Sequence, residues 1–205
     1  MKQAIRMSAL CFLASLPLPS FSAAILDQVT IDTTPLAGVS GFLAFDLLGG
    51  SPFQGNVATI SMFATTGTLG ATSPSGDVTG TLAAPPVVLT ASTFFNEYLQ
   101  AIAFGSGLTT FELSLTSNFM AGSTPDTFSF FLLDSTMAPF ATSDPGGSNA
   151  LFIIDLSDSP VPQVFTSASA SATVVPASTA LPEPRSSVLL LLGCVVLGAR
   201  RVARR

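Results

Sequence analysis

Apart from Tyr98, carboxylates are the only ionisable side chains with which the middle of this chain could do chemistry. Between Arg6 and Arg185 there is no Lys, Arg or His, and neither Cys11 nor Cys194 falls there. Eleven acids do: Asp27, Asp32, Asp46, Asp77, Glu97, Glu112, Asp126, Asp134, Asp144, Asp155 and Asp158. Cysteine, Ser–His and Ser–Lys nucleophiles are therefore excluded from this stretch, as is an arginine clamp on phosphate. What remains is a carboxylate pair of the glycosidase kind, or a hard cation held by carboxylates and turn carbonyls. Glu97 and Glu112 are the only glutamates here, and each reads as a solvated or turn-flanking residue. No acid pair is marked out by spacing, so no catalytic residue and no cofactor is expected. Asp155 and Asp158, with the preceding turn SDPGGSN, are the calcium candidates. Neither EF-hand spacing nor a glycine–aspartate nonapeptide repeat accompanies them, and the plainer reading is acids that keep the surface soluble.

The charge pattern excludes partners as well. With Glu183 set aside the middle stretch carries a formal charge of −11, against −5 for the whole chain. It has no cation to displace the counterions of a phosphate backbone, so nucleic acid is not a partner. No Lys or Arg salt bridge can form within it, and packing and backbone hydrogen bonds must hold it together. With both cysteines in the terminal apolar runs, a disulfide framework and a Cys/His metal site are excluded too. Sugar-binding platforms usually present Trp or Tyr; this stretch has no Trp and only Tyr98, and its phenylalanines read as core.

The two ends read as addresses. At the N-terminus, MKQAIRMSALCFLASLPLPSFSAA has Lys2 and Arg6 ahead of an apolar run from Met7 to about Leu18. Pro17 and Pro19 break the run, and Ser22-Ala23-Ala24 supplies small residues for cleavage. Cleavage is expected after Ala24, with Ser22 as second choice. Residues 1–24 are thus a signal peptide that implies export through the Sec translocon and signal peptidase. Cys11 sits inside the apolar run behind Leu10, which does not suit a lipoprotein site. At the C-terminus comes Pro182-Glu183-Pro184, which the prolines keep extended and non-helical. An uninterrupted apolar run of twelve residues, 188–199, follows. As a helix it would span ~18 Å against a hydrocarbon core of ~30 Å. Arg185 and the distal arginines could snorkel and extend that reach. Arg200, Arg201, Arg204 and Arg205 would hold the distal end on the cytoplasmic side.

Triplet, run and arginines, in that order at the extreme C-terminus, resemble the PEP-CTERM sorting signal of Gram-negative bacteria. The resemblance covers 181–205, with Leu181 where Val is commoner. It implies that the chain is a substrate of exosortase, a multi-pass membrane protease of the cysteine transpeptidase kind, and links it to exopolysaccharide and biofilm. It implies further that Pro182, Glu183 and Pro184 form the recognised motif. Val188, Leu189, Leu190, Leu191, Leu192, Val195, Val196 and Leu197 would form a transient inner-membrane anchor. Arg200, Arg201, Arg204 and Arg205 would form the positive stop. The whole chain resembles, more loosely, a group of small PEP-CTERM proteins of similar length.

Between the addresses, 25–175 reads as β. Short runs of β-branched and aromatic residues alternate with Gly, Pro, Ser, Asp and Asn. Candidate strands are 41–48, 56–65, 77–82, 87–91, 98–104, 109–116, 127–133, 150–156 and 165–175. In TTFELSLT, Phe111, Leu113 and Leu115 fall on one face and Glu112, Ser114 and Thr116 on the other. The expected fold is an antiparallel β-sandwich, jelly-roll-like, followed by a linker at 176–181. One stretch, STFFNEYLQAI, also carries Phe94, Phe95, Tyr98, Leu99 and Ile102 at helical spacing, so a short helix is open there. FLAFDLLGGSP, FSFFLLDSTMAP and LFIIDLSDSP look alike and read as buried strands exiting into solvent, more than as an internal repeat. Taken together, the chain reads as a non-enzymatic exported protein of the cell envelope or extracellular matrix. The alternatives are a carbohydrate- or calcium-dependent binding module or adhesin, and a permanently tail-anchored envelope protein.

Overall fold

The computed structural model describes residues 23–177, which are all-β apart from one short 3-10 turn, Thr34–Leu36. The strands are β1 (Ala23–Asp32), β2 (Ser40–Leu48), β3 (Val57–Thr65), β4 (Thr68–Ser75), β5 (Val78–Thr81) and β6 (Ala84–Thr90). They continue as β7 (Phe95–Ala103), β8 (Leu108–Ser117), β9 (Thr127–Asp134), β10 (Phe152–Asp155), β11 (Gln163–Val164) and β12 (Ser171–Pro176). They form two antiparallel sheets of six strands. One has the order β12-β1-β8-β3-β6-β5, the other β11-β10-β9-β2-β7-β4. From β1 to β4 the chain changes sheet at every connection.

Period-two burial builds the core. Leu43, Phe45 and Leu47 of β2 are buried, and so are Phe111, Leu113 and Leu115 of β8 and Phe128, Phe130 and Leu132 of β9. The ring of Phe45 meets Phe111 of the opposite sheet edge-on at 5.3 Å and Phe130 of its own sheet at 4.9 Å. These contacts lock the two inner faces, and such aromatic pairs add ~0.5–1.5 kcal/mol beyond the area they bury.

Three local expectations meet a definite outcome, and strand β4 was not expected at all. The stretch with helical spacing is strand β7, which pairs with β2 through nine residues from Ser40↔Ala103 to Leu48↔Phe95. That ladder and the inward alternation of Asn96, Tyr98, Gln100 and Ile102 override the helical coincidence. Of the last candidate strand, 165–175, only 171–175 join a sheet, in β12, which runs on to Pro176; Ser167 makes an isolated bridge to Thr142. Strand β4, TLGATSPS, has turn-like composition and lies at a sheet edge, where a proline is tolerated. Strand β1 begins at Ala23, so the expected cleavage after Ala24 falls at its second residue. The sorting motif, the apolar run and the arginines (182–205) lie outside the described residues, as does nearly all of the expected signal peptide. Among the described residues no helix is long and apolar enough to cross a membrane.

Candidate functional site

The outer face of the β9-β2-β7-β4 sheet carries a row of polar side chains that sequence spacing does not mark out. Asp46 of β2 lies opposite Ser129 of β9 on one side and Glu97 of β7 on the other, and Glu97 lies opposite Ser75 of β4. Each alternates with inward residues: Asp46 stands between Phe45 and Leu47, and Glu97 between Asn96 and Tyr98, all buried. Directly opposed positions on neighbouring strands put Cβ atoms ~4.5–5.5 Å apart. Two carboxylates therefore face each other with no cation among the described residues to separate them.

Apolar side chains frame the row on the same face. Phe131, Ala44 and Leu99 form the next row along the strands, and Leu133, Phe42 and Ala101 the one after. Ala44, Leu99 and Ser129 are buried although they belong to the outer face. Ala44 lies below its larger cross-strand neighbours Phe131 and Leu99. A groove of about 360 Å³, lined by Phe42, Gly70, Ala101 and Ser135 among others, continues this flank.

The electrostatics follow from that frame. Burial, and secondarily the charge of Glu97, push the Asp46 carboxyl up to about 7. Burial also raises Glu97. Asp46 Oδ1 is buried with no hydrogen-bond partner. Near neutral pH the pair thus holds a proton that two ordinary surface acids would have lost. It offers one O–H donor beside several acceptor lone pairs, in an apolar setting that strengthens whatever hydrogen bond it makes. That chemistry suits hydroxyl groups.

The residues singled out by sequence have other occupations. Tyr98 is 1% exposed; its hydroxyl donates to Gln100 Oε1 at 3.1 Å and accepts from Leu82 N–H at 3.0 Å, so it offers no face for a sugar to stack on. Asp155 Oδ1 accepts from Thr127 Oγ1 at 2.8 Å. Asp144, in the turn that precedes the calcium candidates in sequence, sits near the start of β10 whereas Asp155 ends it, and accepts from Gly146 N–H, Ser148 N–H and the Ser148 hydroxyl. These bonds hold its carboxyl below the ordinary range. Among the described residues no three of His, Cys, Asp and Glu come together as metal ligands. Glu112 faces outward between buried Phe111 and Leu113 on the other sheet, away from Glu97.

The three look-alike segments resolve differently. They become β2, β9 and β10, neighbours in one sheet. Asp134 and Asp155 end their strands, and Asp134 accepts from Thr136 N–H, the Thr136 hydroxyl and Ala138 N–H, which depresses its carboxyl. Both fit the reading of a strand exiting into solvent. Asp46 does not: it lies two residues inside its strand, and only the β2–β7 register brings it to Glu97.

A second polar cluster ties the ends of the two sheets together. Buried Asn56 donates through Nδ2 to Asp126 Oδ2 at 3.0 Å, and its Oδ1 accepts from Asn118 N–H at 2.7 Å and from Thr116 Oγ1 at 3.2 Å. Buried Asp126 also accepts from Gly50 N–H at 2.6 Å. These bonds fasten the β2–β3 loop to the β8–β9 loop, and their members are occupied by each other.

No family model matches the chain, and no curated protein or solved structure matches it either. The likeness of the tail to a sorting signal therefore rests on its own residues, 181–205.

Proposed function

We propose that this is an exported, non-enzymatic β-sandwich protein of the cell envelope or extracellular matrix, held at the inner membrane by its C-terminal signal and released by exosortase near Pro182–Pro184. One observation carries the reading beyond the sequence. Strands β1 and β12 pair antiparallel with Asp27 opposite Pro176, and Ala177 N–H bonds Leu26 C=O at 2.7 Å. The chain thus enters and leaves the domain at one corner. Leader and tail would hold the domain by that corner until signal peptidase acts, and the tail alone would hold it there afterwards, with its far loops turned away. The order β1-β8-β3-β6 against β2-β7-β4 supports the jelly-roll form of the sandwich, with β9 to β12 as additions at the edges.

The decisive experiment is intact mass of the protein from each fraction of the native host, for wild type and for Glu183→Ala. Loss of the residues from about 184 onward, with the variant full-length in the inner membrane, is the expected result. Wild-type protein that keeps 188–205 in the membrane would instead make it a permanently anchored envelope protein.

The Ser129–Asp46–Glu97–Ser75 row favours a second reading, a binding module for a polyhydroxylated chain such as exopolysaccharide. The carboxyls and the exposed Ser75 hydroxyl would meet the sugar's hydroxyls, and Phe131 and Phe42, which are only partly buried, its apolar edges. A glycan array probed with wild type and with Asp46→Ala/Glu97→Ala separates the two readings. Wild-type binding lost in the double variant establishes the module; a blank array leaves the structural role.

A further inference from the structure

The three exposed phenylalanines of the described domain gather at the end from which both terminal segments leave. Phe53 is 53% exposed in the β2–β3 loop, Phe94 is 66% exposed in the β6–β7 loop, and Phe95, 41% exposed, opens β7. Met120, exposed in the β8–β9 loop, joins them. The strand register places these loops together: Leu48, the last residue of β2, lies opposite Phe95 and Thr127, and the end of β8 lies opposite Ala23. Hydrogen bonds make the loops one rim. Gly49 N–H donates to Phe94 C=O at 2.9 Å, Thr124 N–H to Ser51 C=O at 3.1 Å, and Gln54 Nε2 to Thr124 C=O at 2.8 Å. Phe53 and Phe94 flank a cleft of about 400 Å³ floored by Gly49 and Gly50.

We propose that this rim is a membrane-contact surface: Phe53, Phe94, Phe95 and Met120 settle into the headgroup region of the bilayer that receives the C-terminal run. The proposal rests on the reading of 188–199 as membrane-directed. The geometry behind it is the short tether. Ala177 is eleven residues from Val188, at most ~40 Å of extended chain. The rim is the face that such a tether brings to the surface first. Aromatic rings belong at that depth, where exposed apolar area is withdrawn from water without crossing the hydrocarbon. Charge selects the lipid. The domain carries eleven acids and no base, so it is repelled by an anionic surface and tolerated by a zwitterionic one.

The chain has no Trp, so one introduced indole is an unambiguous reporter. Phe94→Trp and Phe53→Trp, each in the chain from Ile25 to Arg205 that the expected signal-peptide cleavage leaves, are reconstituted in phosphatidylcholine–phosphatidylethanolamine vesicles with and without brominated acyl chains. Leu108→Trp, at the start of β8 and ~30 Å away along that strand, is the control. The expected result is at least two-fold quenching and a blue shift for both rim variants and none for the control, weakening as phosphatidylglycerol is added. Co-sedimentation separates the two ways of failing. Chain that sediments with vesicles while both rim indoles stay unquenched leaves the tail as an anchor and overturns the contact surface. Chain that stays in the supernatant overturns the anchor and the contact surface with it.

Discussion

Replacing Asp46 with Asn should make the protein more stable at neutral and alkaline pH and leave it unchanged in acid. The carboxyl is displaced from its ordinary 3.8 to about 7, first by burial and then by Glu97. That corresponds to ~4 kcal/mol between the protonated and ionised forms in the folded state, an upper figure for a group that keeps some contact with water. Below pH 3.8 folded and unfolded chains both hold the proton. Between 3.8 and about 7 only the folded chain holds it, so stability falls as pH rises. Above 7 the full cost stands. Asn is nearly isosteric and cannot ionise, so the variant loses that slope. Urea unfolding of both proteins from pH 4 to pH 8.5 measures it. Asp27, buried opposite Leu113, is also raised by burial, whereas Asp32, Asp134 and Asp144 are lowered by their hydrogen bonds. The quantity to follow is therefore the difference between variant and wild type, in which those groups cancel. It should be small at pH 4 and grow steadily toward pH 8, with ~4 kcal/mol, or ~10 °C in Tm, as its ceiling. A difference that does not change with pH would refute the argument, because it would mean that Asp46 titrates like a surface acid.

Glu97→Gln should lower the midpoint of Asp46 only in part, since burial remains the larger cause; carboxyl-carbon NMR titration of the variant reads this directly. Asn56→Ala should cost ~2–4 kcal/mol in urea unfolding, because it leaves Asp126 Oδ2 and Asn118 N–H without their partner inside the fold. Phe45→Ala should cost ~3–5 kcal/mol in the same assay, since that ring touches Tyr98, Phe111 and Phe130. Gly50→Ala should destabilise by more than ~1 kcal/mol, as its Cβ would stand 2.0 Å from the Thr124 carbonyl oxygen; an unchanged Tm would show that the two loops can part.

The strands with clean alternation were legible because one property, burial of every second side chain, is written locally. TTFELSLT needed no partner to be read, and it became the centre of β8 with Phe111, Leu113 and Leu115 inside. Strand β4 was not legible, because an edge strand needs little hydrophobic pattern and its glycine, serine and proline spell a turn. STFFNEYLQAI was ambiguous for the opposite reason: its apolar residues satisfy two periods at once, and only the ladder to β2 decides between them.

By itself, the sequence determined the charge and the excluded chemistry, since composition is independent of conformation. A stretch of eleven acids without a Lys, Arg or His holds no internal salt bridge and no cysteine or histidine nucleophile in any fold. The reading of the two ends as addresses is equally a matter of local order along the chain. The tertiary structure alone decided which acids meet. Asp46 and Glu97 are fifty-one positions apart, and neither carries a sign of the other. A one-residue slip between β2 and β7 would turn one of them to the opposite face. The same holds for Phe53, Phe94, Phe95 and Met120, which become one surface only because the strands before and after them start and stop at the same end of the two sheets.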